Sequence, residues 1–201
     1  MLSRGAFRIP EPVLPVRLFI AIEVPGEIRN AMAAFLKELQ EIAPKAKWVR
    51  PENLHVTLKF LGETDGAKLS QIEGSLKTIR SSESVWLELR GLGFFPNEKR
   101  PRVLWAGMES SANLRSLAGD IDRSVHPLGF PLEQRPFTPH LTLARFNAPG
   151  LPPNLDTSVG QHASRSFGSF TADQFHLIQS KLKATGAEYT TLESFPFTTE
   201  T

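Results

Sequence analysis

Two short stretches pair a histidine with a threonine two residues on: HVTLKF at 55–60 and HLTLAR at 140–145. Side chains at i and i+2 of a strand share a face, so His55 projects with Thr57 and His140 with Thr142. Val56, Leu58 and Phe60 are distributed by the pleat, and Leu141 and Leu143 form an apolar backing. If the two strands meet across a groove, two imidazoles and two hydroxyls converge. Imidazoles titrate near neutral pH and can act as base and acid on opposite sides of one group. Hydroxyls can donate to the non-bridging oxygens of a tetrahedral anion, and ordered donors stabilise charge that develops there. This set suits hydrolysis of a phosphodiester or cyclic phosphate without a metal ion. One histidine takes a proton from water; the other gives one to the departing sugar oxygen. Two such pairs, both followed by Leu, are expected by chance in about one chain in a hundred or fewer.

Other chemistries lack their residues. The chain has no cysteine, which excludes thiolate nucleophiles, disulfides and Cys-based metal sites. No H-E-x-x-H, G-x-S-x-G, P-loop or G-x-G-x-x-G motif occurs. His126 closes a helical pattern before Pro127, where a cation is favourable. His162 falls in a loop, and His176 alternates with Phe175 and Leu177; all three read as structural.

The elements that must position the pairs follow from periodicity. VRLFIAIEVP reads as a buried strand. Residues 26–43 place Ile28, Met32, Phe35, Leu36 and Leu39 on one helical face, and Pro44 stops that helix. An extended arm then leads into the first His-x-Thr strand. Residues 66–81 and 112–127 are amphipathic, with VWLELRGLGFFP and RVLWAGM between them as strands joined by the basic turn NEKRPR. Residues 147–160 read as a loop rich in Pro, Gly and Asn. Strands separated by short turns argue for an α+β fold with antiparallel pairing over a doubly wound parallel sheet. In each half a helix leads to an arm containing Arg-Pro and then to His-x-Thr-Leu, an echo that predicts a two-lobed, pseudo-symmetric body.

The 201 residues, 40% of them hydrophobic, are enough for one good core, and a net charge of +2 permits an anionic ligand without demanding one. No apolar run approaches the roughly 20 residues of a membrane span. Residues 1–15, Pro-rich and aperiodic, read as a flexible tail, with a single bilobal domain over 16–201. The lack of cysteine fits a reducing cytoplasm.

HVTLKF with HLTLAR resembles the signature of the two-histidine phosphoesterase superfamily. Within it the chain resembles the RNA 2′,3′-cyclic phosphodiesterase family, also called LigT-like or 2′-5′ RNA ligase. RLFIAIEVP, WVRPENLHVTLKFLGE, LRGLGFFPNEKRPRVLWAG, LGFPLEQRPFTPHLTLARF and YTTLESFPF resemble family blocks in family order, over about Val16 to Phe197. The resemblance implies two antiparallel sheets around a central groove with helices outside. It implies hydrolysis of RNA or nucleoside 2′,3′-cyclic phosphates to 2′-phosphates, and a weak reverse activity joining tRNA-half-like ends through a 2′-5′ linkage. It implies no metal and no cofactor, with His55 as proton donor, His140 as proton acceptor, and Thr57, Thr142 and Arg145 holding the phosphate.

Around that set, Lys59, Lys99, Arg100, Arg102 and Arg135 are candidates for a basic rim that meets an RNA backbone. Phe137 and Trp48 are candidates to stack on a base. A monomer that binds no membrane is expected. A non-catalytic nucleotide or RNA-end binding module on the same fold is the alternative, and ligation as the physiological direction stays open.

Overall fold

The computed structural model describes residues 14–79, 83–147, 150, 152–184 and 186–197. The tail expected at the start lies, up to residue 13, outside the described residues. The first half runs β1 (Val16–Glu23), α1 (Gly26–Ile42), β2 (Lys47–Trp48), β3 (His55–Thr64), α2 (Leu69–Leu76) and β4 (Val85–Phe95). The second half runs β5 (Val103–Ser110), α3 (Asn113–Val125), β6 (His140–Arg145), α4 (Leu155–Gln161), β7 (Ser166–Ala172), β8 (Gln174–Lys183) and β9 (Gly186–Pro196).

The strands form two antiparallel sheets. One has the order β3-β1-β8-β9 and the other β2-β6-β5-β4-β7. Helices α2 and α3 pack on each other, with α3 against β3; α1 and α4 pack on each other, with α1 against β7 and α4 against β4. The fold is therefore α+β with antiparallel sheets, as the short turns indicate. Among the described residues no helix is long and apolar enough to cross a membrane.

Periodicity explains which faces are covered. Helix α3 buries Leu114, Leu117, Ala118, Ile121 and Val125, and α1 buries Met32, Phe35, Leu36 and Leu39. Each of the larger side chains removed from water stabilises the fold by roughly 1.5–3 kcal/mol before chain entropy is counted. Strand β1 is central in its sheet and buried on both faces. Leu18, Ile20 and Ile22 join the large core under the helices. Phe19 and Ala21, on the opposite face, form a second small cluster with Ile178 and Tyr189. That second face looks into the space where the sheets meet.

The loop expected at 147–160 and the helix expected at 66–81 differ from the sequence reading. The expected loop at 147–160 contains the start of α4, a seven-residue helix after Asn154, which has φ 69°. Its buried residues are only Leu155 and Val159, too few to show a helical period. The run FGSFTADQFHLIQSKL divides at Asp173 into β7 and β8, which enter different sheets. Alternation along a strand carries no record of which sheet it joins. In the predicted helix at 66–81, a 3₁₀ turn at Gly66–Lys68 precedes α2; residues 80 and 81 lie outside the described residues.

Candidate active site

The two motifs are built alike. Arg50-Pro51 and Arg135-Pro136 stand at the same distance before His55 and His140, and each histidine is the first residue of its strand. Both hexapeptides show one burial pattern: half-buried His, buried residue, half-buried Thr, two buried residues, exposed residue. A β-bulge causes the doubled buried position. In β3, Thr57 pairs with Ala21 and Lys59 with Ile20, leaving Leu58 unpaired. In β6, Thr142 pairs with Trp105 and Ala144 with Leu104, leaving Leu143 unpaired. The extra residue reverses the alternation of the residues after it. It turns Lys59 and Ala144 inward and returns Phe60 and Arg145 to the side that carries histidine and threonine.

Strands β3 and β6 approach each other across the junction of the sheets. The His55 Nδ1 lies 2.7 Å from the Asn53 carbonyl oxygen, and the His140 Nδ1 lies 2.8 Å from that of Thr138. A carbonyl only accepts, so each Nδ1 carries the hydrogen and each Nε2 is left for the groove. The carbonyl that orients His55 is itself anchored, because the Asn53 side chain donates to Ala187 O of β9 at 2.8 Å. The His55 ring sits against Phe19 at 4.6 Å and edge-on to Tyr189 at 5.3 Å. Burial lowers its pKa below the ordinary value. The bond to Asn53 opposes this, and the charges of His140 and Arg145 add to the lowering. His140 is supported differently, by the edge of Phe95 at 5.1 Å.

The remaining polar groups are uncommitted. Among the described residues, the Thr57 and Thr142 hydroxyls have no hydrogen-bond partner and Arg145 has no ion-pair partner. The floor beside Thr142 is aromatic. Trp105 lies across the sheet, stacked on Phe95 at 5.1 Å, over two glycines that leave room for its ring. A Cβ on Gly93 would collide with the indole, and one on Gly107 would lie 3.1 Å from it. Further along β3, Phe60 is 49% exposed with the Arg17 guanidinium 5.0 Å from its ring centroid. Among the described residues no three His, Asp or Glu side chains are grouped to hold a metal ion.

Of the rim candidates, Lys99, Arg100, Arg102 and Arg135 are exposed and Lys59 is not. Arg100 and Arg102 are exposed at the β4–β5 turn, next to the Val103–Arg145 pairing, and Arg135 is exposed on the arm before β6. Lys59 is not on the rim: it is 2% exposed, with Nζ 2.6 Å from Asp122 Oδ1, 3.2 Å from Glu133 Oε1, and donating to Pro131 O at 2.7 Å. Simple alternation puts Lys59 on the face of His55 and Thr57; the bulge at Leu58 reverses that. Phe137 and Trp48 pack against the large core, and the Trp48 indole donates to Ala43 O, so both support the scaffold. His126 bonds the Phe130 carbonyl, His162 packs edge-on to Phe35, and His176 is buried against Ser194, all in structural settings. The sequence reading missed Phe19, Phe95, Trp105 and Tyr189 as walls of the site. Alternation within each strand marks them only once the helix-covered face is known.

Comparison with known proteins agrees with this geometry. The family described as LigT like Phosphoesterase matches over residues 22–105 and 107–189, so each half contributes one His-x-Thr strand. The chain is 33% identical over 183 residues to a Methanothermobacter thermautotrophicus protein named RNA 2′,3′-cyclic phosphodiesterase, covering 90% of this chain and 99% of the relative. An Archaeoglobus fulgidus protein of the same name is 36% identical over 180 residues, with the same coverage. A Thermus thermophilus crystal structure superposes with TM-score 0.72 at 34% identity, over 90% of this chain and 97% of that one. Escherichia coli LigT complexed with 3′-AMP gives TM-score 0.72 at 29% identity, over 92% and 99%. Both halves of the sequence and the whole pair of sheets lead to one assignment: this chain belongs to the LigT-like phosphoesterase family.

Proposed function

We propose that the protein hydrolyses 2′,3′-cyclic phosphates of RNA ends or nucleotides to 2′-phosphates. One observation carries the reading. Two Nε2 atoms, freed by backbone bonds at Nδ1, share a junction with two uncommitted hydroxyls and an unpaired guanidinium. The names of the relatives and the 3′-AMP complex of Escherichia coli LigT support it.

In the step we propose, Thr57, Thr142 and Arg145 hold the non-bridging phosphate oxygens, and the guanidinium offsets their charge. Water attacks phosphorus as its proton passes to His140 Nε2. The bond from phosphorus to the 3′ oxygen breaks, and that oxygen takes the proton of His55. The product is a 2′-phosphate with a free 3′-hydroxyl. With a 5′-hydroxyl in place of water as the attacking group, the same transfers join two RNA ends by a 2′-5′ linkage with the 3′-hydroxyl left free, and tRNA halves are substrates of this kind. The protein is read as a cytoplasmic monomer. Arg100, Arg102 and Arg135 form the rim that meets the RNA backbone. An Arg100→Ala, Arg102→Ala double variant is expected to bind RNA more weakly and with a shallower salt dependence; an unchanged slope would remove these residues from the interface.

A donor must start the cycle protonated. In the free groove, burial and the neighbouring charges press His55 toward its neutral form, whereas a bound phosphate anion favours the protonated form. Activity that depends on a donor falls as pH rises through the donor's pKa. The His55 limb is therefore expected below pH 6.5, the ordinary imidazole value, in kcat/KM, and at higher pH in kcat.

The testing experiment is turnover of adenosine 2′,3′-cyclic phosphate by the purified protein across pH, with and without EDTA, and the product isomer identified by phosphorus NMR. The expected result is the 2′-phosphate at an EDTA-independent rate. Binding without turnover would replace the reading with a non-catalytic nucleotide or RNA-end binding module.

A further inference from the structure

Tyr189 is the only tyrosine of the chain. It pairs with Ser180 across β8–β9, and Ser180 pairs with Arg17 across β1–β8. Directly opposed residues share a face of a sheet, so Tyr189, Arg17 and, two residues along, Phe19 project together into the junction of the sheets. The ring is half-buried, edge-on to Phe19 at 5.0 Å and 69° and edge-on to His55 at 5.3 Å and 83°. A phenylalanine would make the same ring contacts, as Phe95 does beside His140 at 5.1 Å and 78°.

The hydroxyl is what packing leaves unexplained. A tyrosine O–H in a half-buried setting ordinarily finds a partner. Among the described residues no protein group bonds to this one. Burial pushes the phenol above its ordinary pKa, while Arg145 from the opposite sheet and Arg17 from its own pull the other way. The group is thus a neutral donor at physiological pH, set beside an imidazole and within the field of two guanidinium groups. The ligand that satisfies such surroundings is an anion with several acceptor oxygens.

We infer that Tyr189 is a substrate-binding residue whose hydroxyl donates to a non-bridging oxygen of the phosphate held between Thr57, Thr142 and Arg145. The inference rests on the proposed function and adds a third hydroxyl to its anion site. The two imidazoles then have unlike neighbours: the edge of Phe95 beside His140 and a phenol beside His55.

The test is Tyr189→Phe, which keeps the ring and removes only the hydroxyl. Kinetics are measured on adenosine 2′,3′-cyclic phosphate, and calorimetry measures the binding of adenosine 2′-monophosphate to wild type and variant. The expected result is a rise of about tenfold in both KM and the dissociation constant, as loss of a hydrogen bond to a charged group implies, with kcat changed by less than about threefold and Tm unchanged. KM and dissociation constant both within about twofold of wild type would overturn the inference. If the wild type binds the monophosphate but turns over no cyclic substrate, the catalytic reading fails while the calorimetric comparison still decides Tyr189. If the wild type binds neither nucleotide, both fall.

Discussion

Replacing His55 or His140 with alanine is expected to lower turnover of a 2′,3′-cyclic nucleotide by about 10²–10⁴-fold while the protein stays folded. Neither imidazole is part of the large core. Each makes one hydrogen bond, to a carbonyl two residues earlier in its own arm, and losing such a bond costs about 0.5–1.5 kcal/mol. His55 also packs against the rings of both Phe19 and Tyr189, whereas His140 meets the edge of Phe95, so its variant should lose slightly more stability than the His140 variant. The kinetic loss has another origin. With one imidazole gone, either water is attacked without a base or the sugar oxygen leaves without an acid. Because both transfers serve one displacement, the double variant should be little worse than the poorer single one. Circular dichroism of the variants beside steady-state rates separates a chemical loss from an unfolded sample.

The second large effect is on stability. Lys59→Ala is expected to destabilise the protein by about 3–5 kcal/mol, the usual cost of breaking a buried ion pair by removing one partner, and to lower Tm by roughly 10 °C for a chain of this size. The ammonium is 2% exposed and its partner Asp122 16%, so solvent screens the pair little. Burial alone would raise the Asp122 pKa. The Lys59 ammonium and the Glu133 amide outweigh it and hold the carboxyl below its ordinary value. A depressed carboxylate contributes its full stabilisation above its unfolded pKa and loses it as pH falls through the folded one. Without Lys59 the half-buried carboxylate loses its paired cation, so protonation relieves it. The Tm gap between wild type and Lys59→Ala should therefore narrow on acidification below about pH 4. Adding Asp122→Leu to Lys59→Met should restore much of the loss, since it removes the stranded charge. Thermal melts at neutral and acid pH check each point. Lys59 also ties β3 to the 131–133 segment that leads to β6, so its loss should loosen the placement of one histidine relative to the other.

Much of this architecture could be read from residue types. The amphipathic periods of α1 and α3, the apolar run of β1 and the His-x-Thr pairs follow from local rules of spacing. The family resemblance extended them to paired sheets and a central groove. What escaped depends on pairing across sheets. A bulge leaves no mark in HVTLKF, because the extra residue is defined by its partner strand; so Lys59 read as a rim cation when it is a buried tie. For the same reason strict alternation would turn Arg145 away from His140 and Thr142, and the bulge at Leu143 returns it. Phe19, Trp105 and Tyr189 line the site from three different strands, brought together by a strand order that no single segment encodes. The turn at Asp173 passes the chain from one sheet to the other within a sequence that alternates on both sides of it.

The central claim is that His55 gives a proton to the leaving oxygen while His140 takes one from water. A phosphodiester with a p-nitrophenolate leaving group departs without an acid, so it separates the roles. Rates of wild type, His55→Ala and His140→Ala are compared on adenosine 2′,3′-cyclic phosphate and on such an activated diester. The expected result is that the His55→Ala deficit shrinks to within about tenfold of wild type on the activated substrate, while the His140→Ala deficit persists. Equal deficits on both substrates, or rescue of His140→Ala in place of His55→Ala, would contradict the claim.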